Sequence, residues 1–197
     1  MTKTQICNLA LTHLGGRLLT DVDTENSQEA ILARTWFDVT REEILREHIW
    51  NFATKRVALS GATDLTTTSL SGYDYNYLLS LPADCIRIVK VEDVETKFNV
   101  EYDGIYCDYA NPLVRYIYNN TTYTTWPNNV IAAFSYLLAS YMSQGLTGPA
   151  GQAIALRQLY DNTIAKAKRY DSYESREKVI DKDEYSDIIR FRQQDLF

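Results

Sequence analysis

Apolar positions recur at helical spacing in four separate stretches, and a series of strand-like segments lies between the second and the third. Ile6, Leu9, Ala10, His13 and Leu14 share one face of a first helix over residues 4–14, and Gly15-Gly16 supplies its C-terminal stop. Asn26 and Glu29 make an Asn-x-x-Glu capping pair ahead of a second helix, in which Ala30, Ala33, Phe37, Ile44 and His48 repeat at the same period. That helix is predicted at about 23 residues, roughly 34 Å long at the α-helical rise.

Residues 41–59, REEILREHIWNFATKRVAL, carry the helical period into a period nearer two with no Gly or Pro between. Trp50 and Phe52 bracket the changeover and are predicted as the aromatic hinge that fixes the angle between a helix and a sheet. Strand-like pieces follow at residues 56–59, 75–79, 86–94, 97–102, 105–109 and 113–118. The Gly-bounded tract GATDLTTTSLSG has the composition of a mobile loop, and Asp103-Gly104 is a hairpin-turn signal of type I′. Asn119 and Asn120 begin Asn-x-Thr triplets and are read as turn residues.

Trp126-Pro127 precedes a third helix lined by Ile131, Phe134, Leu138, Tyr141 and Met142; residues 145–148 break it, and Pro149 starts a fourth. Ala153, Leu156, Tyr160, Ile164, Ala167 and Tyr170 form the fourth stripe. Strands grouped between helices give an α+β class. The expected architecture is an antiparallel bundle of about four helices (residues 1–53 and 127–173) with an inserted antiparallel β module (residues 54–126). A charged C-terminal tail, residues 174–197, completes it.

That tail holds seven acidic and five basic residues in 24, yet it keeps Tyr185, Ile188, Ile189, Phe191, Leu196 and Phe197. Six large apolar groups on a solvated segment imply a partner that takes them, or a fifth helix folded back on the bundle. Fifteen Tyr against six Phe and three Trp favour half-wet protein contacts. A net charge of −6 argues against a protein that grips phosphates. Cys7, Cys85 and Cys107 lack CxxC spacing and read as buried thiols. With no apolar stretch near the ~20 residues of a membrane span, synthesis in a cytoplasm is expected.

Several of these stretches together resemble one family. The Leu11-to-Gly15 LxxLG run, Trp50-Asn51-Phe52-Ala53, YDYNYLLSLPADCIRIVKV with Leu81-Pro82-Ala83-Asp84-Cys85-Ile86-Arg87 at its centre, and PLVRYIY ahead of two helices are similar, in order and spacing, to the tail tubular protein A family of short-tailed bacteriophages. The resemblance covers roughly residues 4–172 as a pattern of elements. It implies a non-enzymatic virion protein, a head-to-tail adaptor at the head–tail interface. Its copies form a ring, usually a dodecamer, between the portal protein and the tail nozzle of tail tubular protein B, and DNA crosses the lumen without specific binding. It also implies that the C-terminal segment engages the portal, here through Tyr185, Ile188, Ile189, Phe191, Leu196 and Phe197. The segment after Tyr173 departs from the family pattern.

Acidic walls let DNA slide, so Glu42, Glu43, Glu47 and Asp161 are the expected lumen-facing groups. The alternative is a tail-associated hydrolase of cell-wall or capsule polysaccharide, drawing on Glu43, Glu47, His48 and His13. Glu43 and Glu47 sit one turn apart on one helix face, the usual arrangement of a salt-bridged surface. The two histidines lack metal-ligand spacing, no nucleotide-binding glycine motif occurs, and no cofactor is expected. Arg56, Arg87 and Arg115 read as single rim charges on separate strands. An unrelated interaction scaffold would share the Tyr-rich surface without the ordered WNFA and LPADCIRI stretches.

Overall fold

The computed structural model describes residues 1–66, 75–91, 97–146 and 150–174. Within them the chain is α+β, with four α-helices and two antiparallel sheets. α1 (Lys3–Leu14) opens on a capping box: Thr2 Oγ1 accepts from the Gln5 amide at 3.2 Å and Gln5 Oε1 accepts from the Thr2 amide at 2.9 Å. It stops at Gly15, whose φ of 67° is the left-handed conformation that a residue without Cβ adopts readily. α2 (Gln28–Glu47) has 20 residues, and its cap is Ser27 instead of Asn26, because the Ser27 hydroxyl reaches the Ala30 amide at 3.3 Å.

α3 (Asn128–Met142) starts just after Pro127, and α4 (Ala150–Glu174) runs for 25 residues. Val130, Ile131, Phe134, Leu137, Leu138 and Met142 are all buried, so α3 is apolar on most of its circumference. It earns that burial as the central helix, packing against α1, α2 and α4.

The strands are β1 (Thr54–Ala58), β2 (Thr63–Asp64), β3 (Tyr77–Leu79), β4 (Cys85–Val91), β5 (Asn99–Glu101), β6 (Gly104–Cys107) and β7 (Leu113–Tyr118). They form two sheets, β1-β7-β4 and β2-β3-β6-β5. β2 lies inside the tract expected to be loop; the end of that tract, within residues 67–74, lies outside the described residues, as do residues 92–96. The β5–β6 hairpin pairs Glu101 with Gly104, so its two-residue loop is Tyr102-Asp103, one position earlier than the Asp103-Gly104 signal suggests. Gly104 is needed on the strand itself: at φ 158°, an added Cβ would lie 2.2 Å from the Leu79 carbonyl oxygen.

One large core joins the helices to Trp50, Ala53, Trp126 and Ile117 of β7. A second, Leu59, Leu79, Val91, Ile105, Cys107 and Val114, draws on both sheets. The three cysteines are free; Cys7 and Cys107 are buried, Cys85 is half-buried, and burial pushes the Cys7 thiol up to about 12. Among the described residues, no helix is long and apolar enough to cross a membrane.

Candidate functional site

α2 gives way at His48 to an extended link, and a single 3-10 turn, Asn51–Ala53, feeds β1. Trp50 and Phe52 both stand at this changeover. Trp50 is fully buried and its indole N–H donates to the Ile44 carbonyl at 2.7 Å, which satisfies the one polar atom on the largest side chain of the core. From it an aromatic chain runs inward, with ring centroids 5.6 Å apart for Trp50–Phe52, 5.1 Å for Phe52–Trp126 and 5.7 Å for Trp126–Phe134. Rotation of the sheet against the helices would have to break that series.

Residues 81–87 meet the same joint. Asp84 accepts from Lys55 Nζ at 2.6 Å and from the Tyr116 hydroxyl at 3.1 Å, and its carbonyl accepts from the Asn119 amide at 2.7 Å. Lys55 above all holds the Asp84 carboxyl below its ordinary value, while burial and then Asp84 push the Tyr116 phenol up to about 12. Asn120 is fully buried, and its Nδ2 donates to the Phe52 carbonyl at 2.9 Å. Arg41 Nε on α2 donates to Asn119 Oδ1 at 2.9 Å. Asn120 therefore clamps the end of β7 to the WNFA turn, and Asn119 ties it to Asp84 and α2, both as structural turn residues.

Of the four expected lumen acids, Glu42, Glu47 and Asp161 are exposed and Glu43 is half-buried. Glu43 and Glu47 are nevertheless held by side chains of α3 and α4. Glu43 accepts from Arg157 at 2.9 Å and from the Tyr141 hydroxyl at 2.5 Å; Glu47 accepts from Lys168 at 2.7 Å and from the hydroxyl of the buried Tyr160. Burial and then Glu47 push the Tyr160 phenol far above its ordinary value. The ladder continues to His48, whose Nε2 is 3.3 Å from Asp171 Oδ2. Asp171 is 7% exposed and occupies the inward position that periodicity gave to Tyr170, which is 62% exposed. Burial raises the Asp171 carboxyl and lowers the His48 imidazole, so desolvation opposes the charged pair while their mutual attraction favours it. Periodicity could not find Asp171, Arg157 or Lys168, because a helix charge reads as solvated until its neighbour is known.

His13 stacks on Tyr136 at 4.4 Å and its Nε2 is 3.0 Å from Ser135 Oγ. Ser135 is buried and its hydroxyl donates to the Ala132 carbonyl at 2.8 Å, so the pair is a packing contact. Burial lowers the His13 pKa. His13 and His48 lie apart, and among the described residues no three His, Cys, Asp or Glu side chains gather as metal ligands. A shallow groove of about 390 Å³, lined by Met1, Gln5, Asn8, Leu9, Thr12 and Leu18, contains no carboxylate.

The sheet register brings together cations that look solitary in the sequence. Arg115 on central strand β7 lies directly opposite Arg56 on β1 and Lys90 on β4, and Arg87 pairs two positions along, with Ile117. Tyr185, Ile188, Ile189, Phe191, Leu196 and Phe197 lie outside the described residues. No protein-family model matches this chain, and no curated protein does either.

Proposed function

We propose that this chain is a head-to-tail adaptor of a short-tailed phage, a structural virion protein whose copies form a ring between a portal and a tail nozzle. The observation that carries this reading is the meeting of the two diagnostic stretches at one joint. WNFA and LPADC, separated by 27 intervening residues or more in the sequence, are linked there through the Asn120–Phe52, Asn119–Asp84 and Lys55–Asp84 hydrogen bonds. Residues shared with a family as a pattern gain weight when they build one piece of mechanics.

In this reading residues 1–53 and 127–173 act as an antiparallel bundle that packs side by side around the ring and faces the portal. The β module, residues 54–126, faces the nozzle, and the aromatic hinge at Trp50 and Phe52 fixes the angle between the two. Glu42 and Asp161 are the acids left for the lumen, since Glu43 and Glu47 are already held by cations of α4. DNA then slides past unheld, in keeping with a net charge of −6. The tail, through Tyr185, Ile188, Ile189, Phe191, Leu196 and Phe197, engages the portal.

Co-purification with the cognate portal tests this. The full chain is expected to travel with the portal ring, and a chain ending at Tyr173 to be lost on washing. Equal retention of both would remove the tail from the reading; retention of neither would remove the portal.

A further inference from the structure

The cationic row on sheet β1-β7-β4 is unusual in its placement. Residues directly opposite on neighbouring strands put their side chains on the same face, and like charges there repel. Arg56, Arg115 and Lys90 nevertheless stand side by side across three strands, and Arg87 joins the same face because its partner Ile117 is two residues from Arg115. Arg56 and Lys90 have interactions of their own. The argument therefore rests on the other two: Nε and Nη2 of Arg87 and Nε of Arg115 are buried with no hydrogen-bond partner among the described residues. Both residues are only half-buried, so each keeps part of its cationic side chain open to a carboxylate that arrives over the face.

The opposite chemistry sits on the other sheet. Tyr102 at the tip of the β5–β6 hairpin is 104% exposed, the most exposed large hydrophobic side chain described, and exposed Glu101 and Asp103 flank it. These carboxylates are oriented: Asn99 Nδ2 donates to Glu101 Oε1 at 2.7 Å and the Tyr106 hydroxyl donates to Asp103 Oδ2 at 2.9 Å. Each keeps a second oxygen for another donor. The Gly104 backbone, lodged against Leu79, anchors the base of this projection.

We propose that the Glu101-Tyr102-Asp103 tip of one copy docks on the Arg87 and Arg115 face of the next copy, a contact that rests on the ring reading and names its interface. The phenol ring lies over a guanidinium and the flanking carboxylates pair with the half-exposed cations of the row. A projection and a receptor on different parts of one subunit make a heterologous contact, the kind that propagates into a ring. Leu113 and Ala58, on the same face as Arg115 and Arg56, give the tyrosine an apolar margin. Duplex DNA fits this face less well, because the chain as a whole is anionic.

Charge reversal tests the contact. The receptor variant is Arg87→Glu/Arg115→Glu and the tip variant is Glu101→Arg/Asp103→Arg, the latter on an exposed turn where the fold is not at stake. Masses by light scattering, with and without the cognate portal, are compared for wild type, each variant and their equimolar mixture. Each variant alone is expected to self-associate at least about tenfold more weakly than wild type. The mixture is expected to recover assembly, because reversed tip meets reversed receptor and native tip meets native receptor. Variants that assemble like wild type overturn the contact and leave the ring standing, and so does a mixture that recovers nothing. A wild type that never assembles, alone or on the portal, removes the ring and the contact together. Binding of a 20-base-pair duplex that the receptor variant abolishes, with assembly unchanged, makes the face a DNA site and overturns the proposal.

Discussion

Asn51 and Asp171, 120 residues apart, hold each other twice: the Asn51 amide donates to Asp171 Oδ1 at 3.1 Å, and Asn51 Nδ2 donates to the Asp171 carbonyl at 2.8 Å. The last turn of α4 is thereby fastened to the turn that joins helix to sheet. Asp171→Ala leaves the Asn51 amide without its acceptor and is expected to cost about 1–3 kcal/mol, the penalty of an orphaned, half-buried donor. Asp171→Asn keeps an acceptor and sheds a carboxylate that burial already disfavours, so its cost should be smaller. Urea unfolding of the two variants orders them.

Trp50 carries the largest packing load at the joint. Trp50→Phe loses the hydrogen bond to Ile44 and some volume, about 1–2 kcal/mol; Trp50→Ala leaves a cavity as well and should cost about 3–5 kcal/mol. Denaturation followed by far-UV circular dichroism measures both. A Trp50→Ala protein as stable as wild type would remove the joint from its central place.

The Glu47 contacts separate a tyrosine partner from a surface ion pair. Glu47→Ala strips the buried Tyr160 hydroxyl of its acceptor and should cost about 2 kcal/mol. Lys168→Ala removes only a partly exposed cation and should cost under about 1 kcal/mol, less still in high salt. Thermal melts at low and high salt distinguish the two.

Acid pH is expected to act through the histidines first. Burial lowers His13 and His48 below their ordinary value of 6.5, so the folded chain binds these protons less readily than the unfolded chain. Their contribution is complete above that value and is lost as pH falls through the folded-state pKa. Asp171 has the opposite sign: its carboxyl is raised from 3.8, so protonation in acid relieves a cost. Asp21, Glu25 and Asp84 are held low by hydrogen bonds and cations, and their support is lost only at more acid pH, below their ordinary 3.8 to 4.5. Stability should fall from pH 7 to pH 5, and His13→Gln/His48→Gln should flatten that slope.

The helices were the most legible part of the sequence, since their signals are local. Gly15 stops α1 where Gly15-Gly16 placed it, and residues 113–118 form β7 over the expected range. The cap of α2 moved one residue because Asn26 and Ser27 are both good caps, and only geometry chooses between them. The division of the strands into two sheets depends on pairings between distant residues, Val57 with Val114 and Leu79 with Ile105, that no short window contains. For the same reason Arg56 and Arg115 looked solitary until the register set them opposite each other, and Glu43 and Glu47 looked like free surface acids until α4 supplied Arg157 and Lys168. Alternation and helical period report which face a residue occupies; they are silent about what stands across from it.

The most direct test of the adaptor reading is the mass of the full chain in solution, alone and mixed with its cognate portal, by light scattering. The account predicts a closed multimer on the portal whose mass corresponds to many copies of this 22.7 kDa chain. A chain that stays a single copy in both conditions, at concentrations well above those of a portal assembly, would contradict it.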